Sequence, residues 1–197
     1  MESNPAADID PNVTMEKSQD QLIEEEDFDT ISVISDDVFE DLEYVEVTYE
    51  AFDIPQVLER LQLQSLETNR SLENLLNATL RSTDFLRPFE RKNGDGVFDN
   101  YMLTINGIDA VEFYPDGDLI DTIMIINAVG VPETMIQPGL AYEDLQKTYQ
   151  NPIAYGSEVE SRVHVFIGDI GFRMDAMWNI VEPVDIEDDT EILWIQF

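Results

Sequence analysis

The chain has no cysteine, one histidine and only three lysines. Without cysteine there are no disulfides, no thiolate nucleophile and no cysteine-ligated zinc. The single histidine, His164, stands in Arg162-Val163-His164-Val165-Phe166. It has no elbow motif beside it, so a Ser-His-Asp arrangement is not indicated, and a structural or surface histidine is the expectation. No apolar run approaches the ~18 residues that a membrane-spanning helix needs. No Walker loop and no dinucleotide glycine fingerprint is present. No cofactor and no catalytic residue is expected, and the chain is not expected to be an enzyme.

What is abundant is negative charge. There are 43 Asp and Glu against 10 Lys and Arg, a net of −33 over 197 residues. A surface of that sign does not bind nucleic-acid phosphates directly and attracts basic proteins. The charge is uneven. Residues 1–55 hold 18 acids and one base, Lys17; residues 56–94 hold five acids and six bases; residues 95–197 hold 20 acids and three bases. Two acidic regions thus flank a near-neutral one, and most of their carboxylates have no cation nearby in sequence.

Apolar residues make up 43% of the chain and aromatics 10%, enough to build a core. The first stretch lacks apolar periodicity and is broken by Asn4-Pro5 and Asp10-Pro11. Residues 1–39 are therefore expected to form a disordered acidic tail and residues 40–197 a single α+β domain. Strict alternation over 43–50, with Val45, Val47 and Tyr49 on one side, predicts a half-buried strand. Pro55 suits a helix start, and Leu58, Leu61, Leu66, Leu72, Leu75, Leu76 and Leu80 predict one or two core-facing helices over 55–80, broken near Thr68-Asn69.

Residues 97–126 read as a β-meander turned by Asn106-Gly107 and by Pro115-Asp116-Gly117-Asp118. A short helix is predicted over 140–150, a strand pair over 161–168 and 170–175, and a last strand over 191–197. The sum is an α+β fold, a mostly antiparallel sheet with two or three helices packed on one face.

Asn93-Gly94-Asp95-Gly96 fails as an EF-hand. Placing Gly96 at loop position 6 puts Arg91 at position 1 and Met102 at position 12. A polar loop is expected there, and no metal site.

The tail holds the sharpest partner signal. Ile31-Ser32-Val33-Ile34 followed by Ser35-Asp36-Asp37 is similar to a SUMO-interacting motif, an apolar strand-former beside acid. Asp27-Phe28-Asp29-Thr30-Ile31 resembles the acidic-aromatic motif of autophagy receptors. Candidate partner-binding residues are Phe28, Ile31, Val33, Ile34, Asp36 and Asp37.

Residues 105–197 also carry Tyr114-Pro115-Asp116-Gly117-Asp118-Leu119-Ile120-Asp121-Thr122-Ile123. Further on come Gly139 leading into Tyr142-Glu143-Asp144-Leu145, and Thr190-Glu191-Ile192-Leu193-Trp194-Ile195. This stretch resembles small α+β domains of uncharacterised bacterial envelope lipoproteins, including the sigma-E-regulated lipoprotein family. The resemblance implies a periplasmic, membrane-anchored, non-enzymatic protein.

The functional expectation is a non-catalytic acidic protein that engages a basic protein partner by charge complementarity. The alternatives are a nucleic-acid mimic that inhibits a DNA-binding enzyme and an envelope lipoprotein-like structural domain. The acidic start Met1-Glu2-Ser3 has no signal character. The compartment is cytoplasmic if Met1 is the native start and periplasmic if a signal was removed.

Overall fold

The computed structural model describes residues 47–93, 96–157, 161–177 and 184–197. The tail, with Phe28, Ile31, Val33, Ile34, Asp36 and Asp37, lies outside the described residues. Eight strands form one antiparallel sheet: β1 (Asp84–Asn93), β2 (Gly96–Ile105), β3 (Ile108–Asp116), β4 (Leu119–Ile125), β5 (Ala154–Ser157), β6 (Arg162–Ile167), β7 (Ile170–Met177) and β8 (Ile192–Gln196). Their spatial order is β1-β2-β3-β4-β8-β7-β6-β5. Two meanders, β1 to β4 and β5 to β7, are joined by β8, which pairs with both β4 and β7.

The register explains the amphipathic pattern. Leu86, Leu103, Val111, Ile125, Ile195, Phe172, Val165 and Ala154 face one another across all eight strands. All but Leu86 are buried. Against this face pack α1 (Ile54–Arg60), α2 (Ser65–Thr68), α3 (Leu72–Leu76) and α4 (Tyr142–Thr148). Val57, Leu58, Leu66, Leu75 and Leu145 enter the same core cluster. Side chains alternate across a strand, so a single parity collects every core residue. No described helix is long and apolar enough to cross a membrane.

The leucine-rich region forms three short helices rather than one or two. Asp53 caps α1 by accepting from the Gln56 N–H at 3.0 Å, with Pro55 in the first turn. After α1 the chain turns at Gln62, whose φ is +62°. After Thr68 it extends at Asn69, and Ser71 caps α3 by accepting from the Asn74 N–H. Leu76 is 52% exposed, whereas Leu80 beyond it packs against the core, so the stripe is core-facing except at that one position.

The expected strand over 43–50 is not formed by its described part. Val47 is 56% exposed, and Glu50 makes only an isolated parallel bridge with Met135. Tertiary contacts hold this segment instead. Phe52 N–H donates to the Tyr149 hydroxyl at 2.9 Å, and the Phe52 and Phe197 rings lie 5.7 Å apart.

Candidate functional site: the second face of the sheet

Opposite parity gives the other face a different chemistry. Arg87, Met102, Glu112, Met124, Gln196, Gly171 and Phe166 stand side by side from β1 to β6. One residue pair along, Tyr155, His164, Arg173 and Trp194 align across β5, β6, β7 and β8. All the described helices pack on the first face.

The β1–β3 half holds a polar cluster. Arg87 pairs with Asp109 at 2.7 Å, and the Thr104 hydroxyl donates to the other Asp109 oxygen at 2.8 Å. Arg91 pairs with Glu112 at 2.7 Å, and the Tyr114 hydroxyl bonds to both. The Arg91 guanidinium also lies 5.7 Å from the Tyr114 ring centroid. Glu112 is buried by Met102 and Met124, its neighbours in the register. Burial pushes its carboxyl above the ordinary glutamate range, Arg91 opposes the shift, and Asp109 adds to it.

A raised carboxyl binds its proton more tightly folded than unfolded. Ionised Glu112 therefore costs stability, and the cost grows as pH rises from the ordinary glutamate range through the raised value. Glu112→Gln removes that dependence and still offers Arg91 an acceptor. In urea melts from pH 4 to 7, the stability difference should move in the variant's favour as pH rises, then level off. A difference that is flat or moves the other way contradicts the desolvation account.

The β6–β8 half carries aromatic rings and two arginines. Arg162 and Arg173 each lie 5.6 Å from the Trp194 ring centroid. Arg173 also donates to the carbonyls of Val163 and Ala176. His164 stacks on Phe166 at 5.7 Å and 23°, so it shares a face with Arg162 and Phe166, as alternation predicts. Gly171, directly across from Phe166, makes this possible. A Cβ there would come within 2.9 Å of both the Phe166 ring and Gln196 Cγ.

Two donors on this face, Asn100 Nδ2 and Trp194 Nε1, are buried without an acceptor. Four exposed aromatics also lie on this face, Phe85 and Phe98 at the β1–β2 end and Tyr155 and Phe166 at the β5–β6 end, each 44–50% exposed.

Among the described residues no group of three or more His, Asp or Glu is arranged to hold a metal. Asn93 and Gly96 close the β1–β2 hairpin, and Asp116 and Leu119 close the β3–β4 turn. Concavities occur beside the helices, one of them reaching Asp118 in the β3–β4 turn. Polar side chains such as Gln62, Gln64 and Asn74 line one of about 490 Å³ beside the helices.

Sequence reasoning placed no site on the second face. The alternation in Arg162-Val163-His164-Val165-Phe166 was one available signal, but only the cross-strand register joins it to Trp194 and Arg173.

No protein-family model matches the chain, and no curated protein matches it. Among solved structures, the crystal structure of the uncharacterized protein yfeY from Escherichia coli is similar, with 14% sequence identity and a TM-score of 0.47. The match covers 76% of this chain and 99% of that one. At that level of likeness no property of yfeY passes to this chain.

Proposed function

We propose that this chain is a non-catalytic binding protein whose carboxylate surface engages a basic protein partner. One observation carries the reading: the described carboxylates face solvent, and the fold does not gather cations around them. All the described Asp and Glu residues except Asp84, Glu112 and Asp144 are exposed. Between described residues, Arg87 pairs with Asp109, Arg91 with Glu112, and Lys147 with Glu143 and Asp144.

The fold places the remaining acids in several separate groups. Asp185, Glu187, Asp188, Asp189 and Glu191 run beside the start of α4, tied there by Glu143 N–H to the Asp188 carbonyl and Tyr142 N–H to the Thr190 carbonyl. Asp116, Asp118 and Asp121 project from the β3–β4 region next to Glu73 of α3, joined by Leu72 N–H to the Asp118 carbonyl. Fields from such groups speed encounter with a cationic surface. The acids are spread over the helix layer, the hairpin turns and the 185–191 segment. That spread supports long-range steering over imitation of a phosphate ladder.

The test uses the full chain with an oligolysine peptide and an oligoglutamate peptide of equal length. The oligolysine peptide should bind and the oligoglutamate should not. Its association rate should fall steeply between about 50 and 500 mM salt, as the screening length shrinks from over 10 Å towards a few Å. Replacing Asp185, Asp188 and Asp189 by Asn should lower that rate further. Salt-insensitive binding, or equal binding of both peptides, overturns the reading.

A further inference from the structure

We infer that a groove along the helix layer binds an extended peptide segment that carries a carboxylate side chain. This goes beyond the carboxylate reading, because the groove is built largely from the near-neutral 56–94 stretch and favours the opposite charge.

Three concavities join end to end to form it. The first, of about 490 Å³, and the second, of about 440 Å³, share Gln62 and Gln64. The second and the third, of about 770 Å³, share Arg60 and Pro132. Each is of the size that holds a small ligand, and their succession suits an extended occupant.

Side-chain amides line the first two. Asn77 lies in the first, Gln56 in the second, and Gln62 and Gln64 in both. Among the described residues none of these four amides bonds to another group of the chain. A primary amide offers both donors and an acceptor, which is what the C=O and N–H groups of an extended backbone require.

The charge sits where the second concavity meets the third. Arg60 lines both, and Arg81 lines the second. Arg81 donates to the Arg60 carbonyl at 2.6 Å, which fixes it at the C-terminal end of α1. Among the described residues neither arginine is in an ion pair, on a chain with 43 acids. Glu59 is the acid that lines the second concavity, and no acid lines the first. The guanidinium fork takes a carboxylate through two parallel hydrogen bonds. Glu133 stands in the third concavity, so the occupant's carboxylate belongs at the Arg60–Arg81 junction, and an apolar side chain beyond it can rest on Val129 and Val131. The Debye length is about 8 Å at physiological salt, so the occupant responds to this local charge rather than to the distant total.

Gln62 gives a separate indication. Helix α1 ends in a Schellman turn, with Leu63 N–H donating to the Leu58 carbonyl at 2.7 Å and Gln62 N–H to the Glu59 carbonyl at 3.0 Å. The left-handed position of such a turn favours glycine, yet glutamine holds it at a φ of +62°. Backbone strain of this kind gathers at binding sites. Here it keeps an amide at the junction of two concavities.

The experiment measures fluorescence anisotropy of two labelled peptides on the full chain at physiological salt. One has a central Asp-Glu pair flanked by Thr and Val; the other has Asn-Gln in place of Asp-Glu. The acidic peptide should bind about tenfold tighter, the worth of a charged hydrogen bond. Arg60→Gln should lose that advantage and leave the neutral peptide unchanged. Gln62→Gly should weaken both peptides and be at least as stable as wild type in urea. Lys92→Gln removes an equal charge from an exposed position on β1, outside the groove, and should bind like wild type.

No binding of the acidic peptide, or equal binding of the two peptides to wild type, overturns the inference. So does a loss in Lys92→Gln as large as in Arg60→Gln, which would assign the effect to total charge. A Gln62→Gly variant that binds both peptides like wild type, or that is less stable, also overturns it. Failure of the carboxylate reading would appear instead as salt-insensitive oligolysine binding, which neither peptide reports.

Discussion

Gly130→Ala should destabilise the domain by roughly 2–5 kcal/mol, for two separable reasons. The first is backbone. Gly130 has φ of +89°, in the left-handed region where an L side chain costs about 1–2 kcal/mol. The second is space. A Cβ at this position would stand 2.7 Å from Leu61 Cδ2 and 3.1 Å from Ile105 Cδ1. Leu61 and Ile105 are both buried, so neither methyl has a vacant place to move into, and overpacking of this kind costs about 1–3 kcal/mol.

Gly107 supplies the control. Its φ is +83°, but a Cβ there would meet nothing within 4 Å. Gly107→Ala should therefore lose only the backbone part. Urea denaturation of the two variants separates the contributions. Equal losses would mean that the contact with Leu61 and Ile105 is not the cause.

Phe113→Ala should cost about 3–5 kcal/mol, the usual penalty for emptying a fully buried ring site. Phe113 is 0% exposed and sits in the interior strand β3, between Tyr101 on β2 and Ile123 on β4. Strands flank it on both sides, so the sheet cannot close over the cavity. That loss is a large share of the ~5–15 kcal/mol that stabilises a typical domain. Phe85→Ala, on the other face and half exposed, should change stability by less than about 1 kcal/mol. If the two substitutions cost the same, the assignment of faces is wrong.

The parts of the fold that were legible are those with local punctuation. Asn106-Gly107 and Asp116-Gly117 delimit β2, β3 and β4, and the predicted 97–126 meander matches them closely. The predicted helix over 140–150, the strand pair near 161–175 and the strand over 191–197 correspond to α4, β6 with β7, and β8.

β1 was not read, and its composition explains why. Asp84, Arg87, Pro88, Glu90, Arg91 and Lys92 look unlike a strand. As an edge strand, β1 needs only one ladder, tolerates a proline and benefits from charge. β5 has only four residues, too few to show alternation. The alternation over 43–50 misled for the opposite reason: Val47 carries strand-like patterning but has no neighbouring strand to bury it.

The second face was illegible as a unit. Phe85 and Phe166 are 81 positions apart in the chain and share a face only because the sheet is continuous. The sequence shows each strand's own alternation but not which strands are neighbours, and non-local pairing leaves no short-range mark.

The position of β8 has a consequence for assembly. It comes last in chain order among the strands, yet lies in the middle of the sheet between β4 and β7. During synthesis both meanders emerge before it, each showing an unpaired inner border. Those borders are templates for adventitious strand pairing until the final segment slots between them. Slow synthesis or a weakened β8 should therefore raise the yield of misassembled chains far more than an equal weakening of β1 at the outer rim.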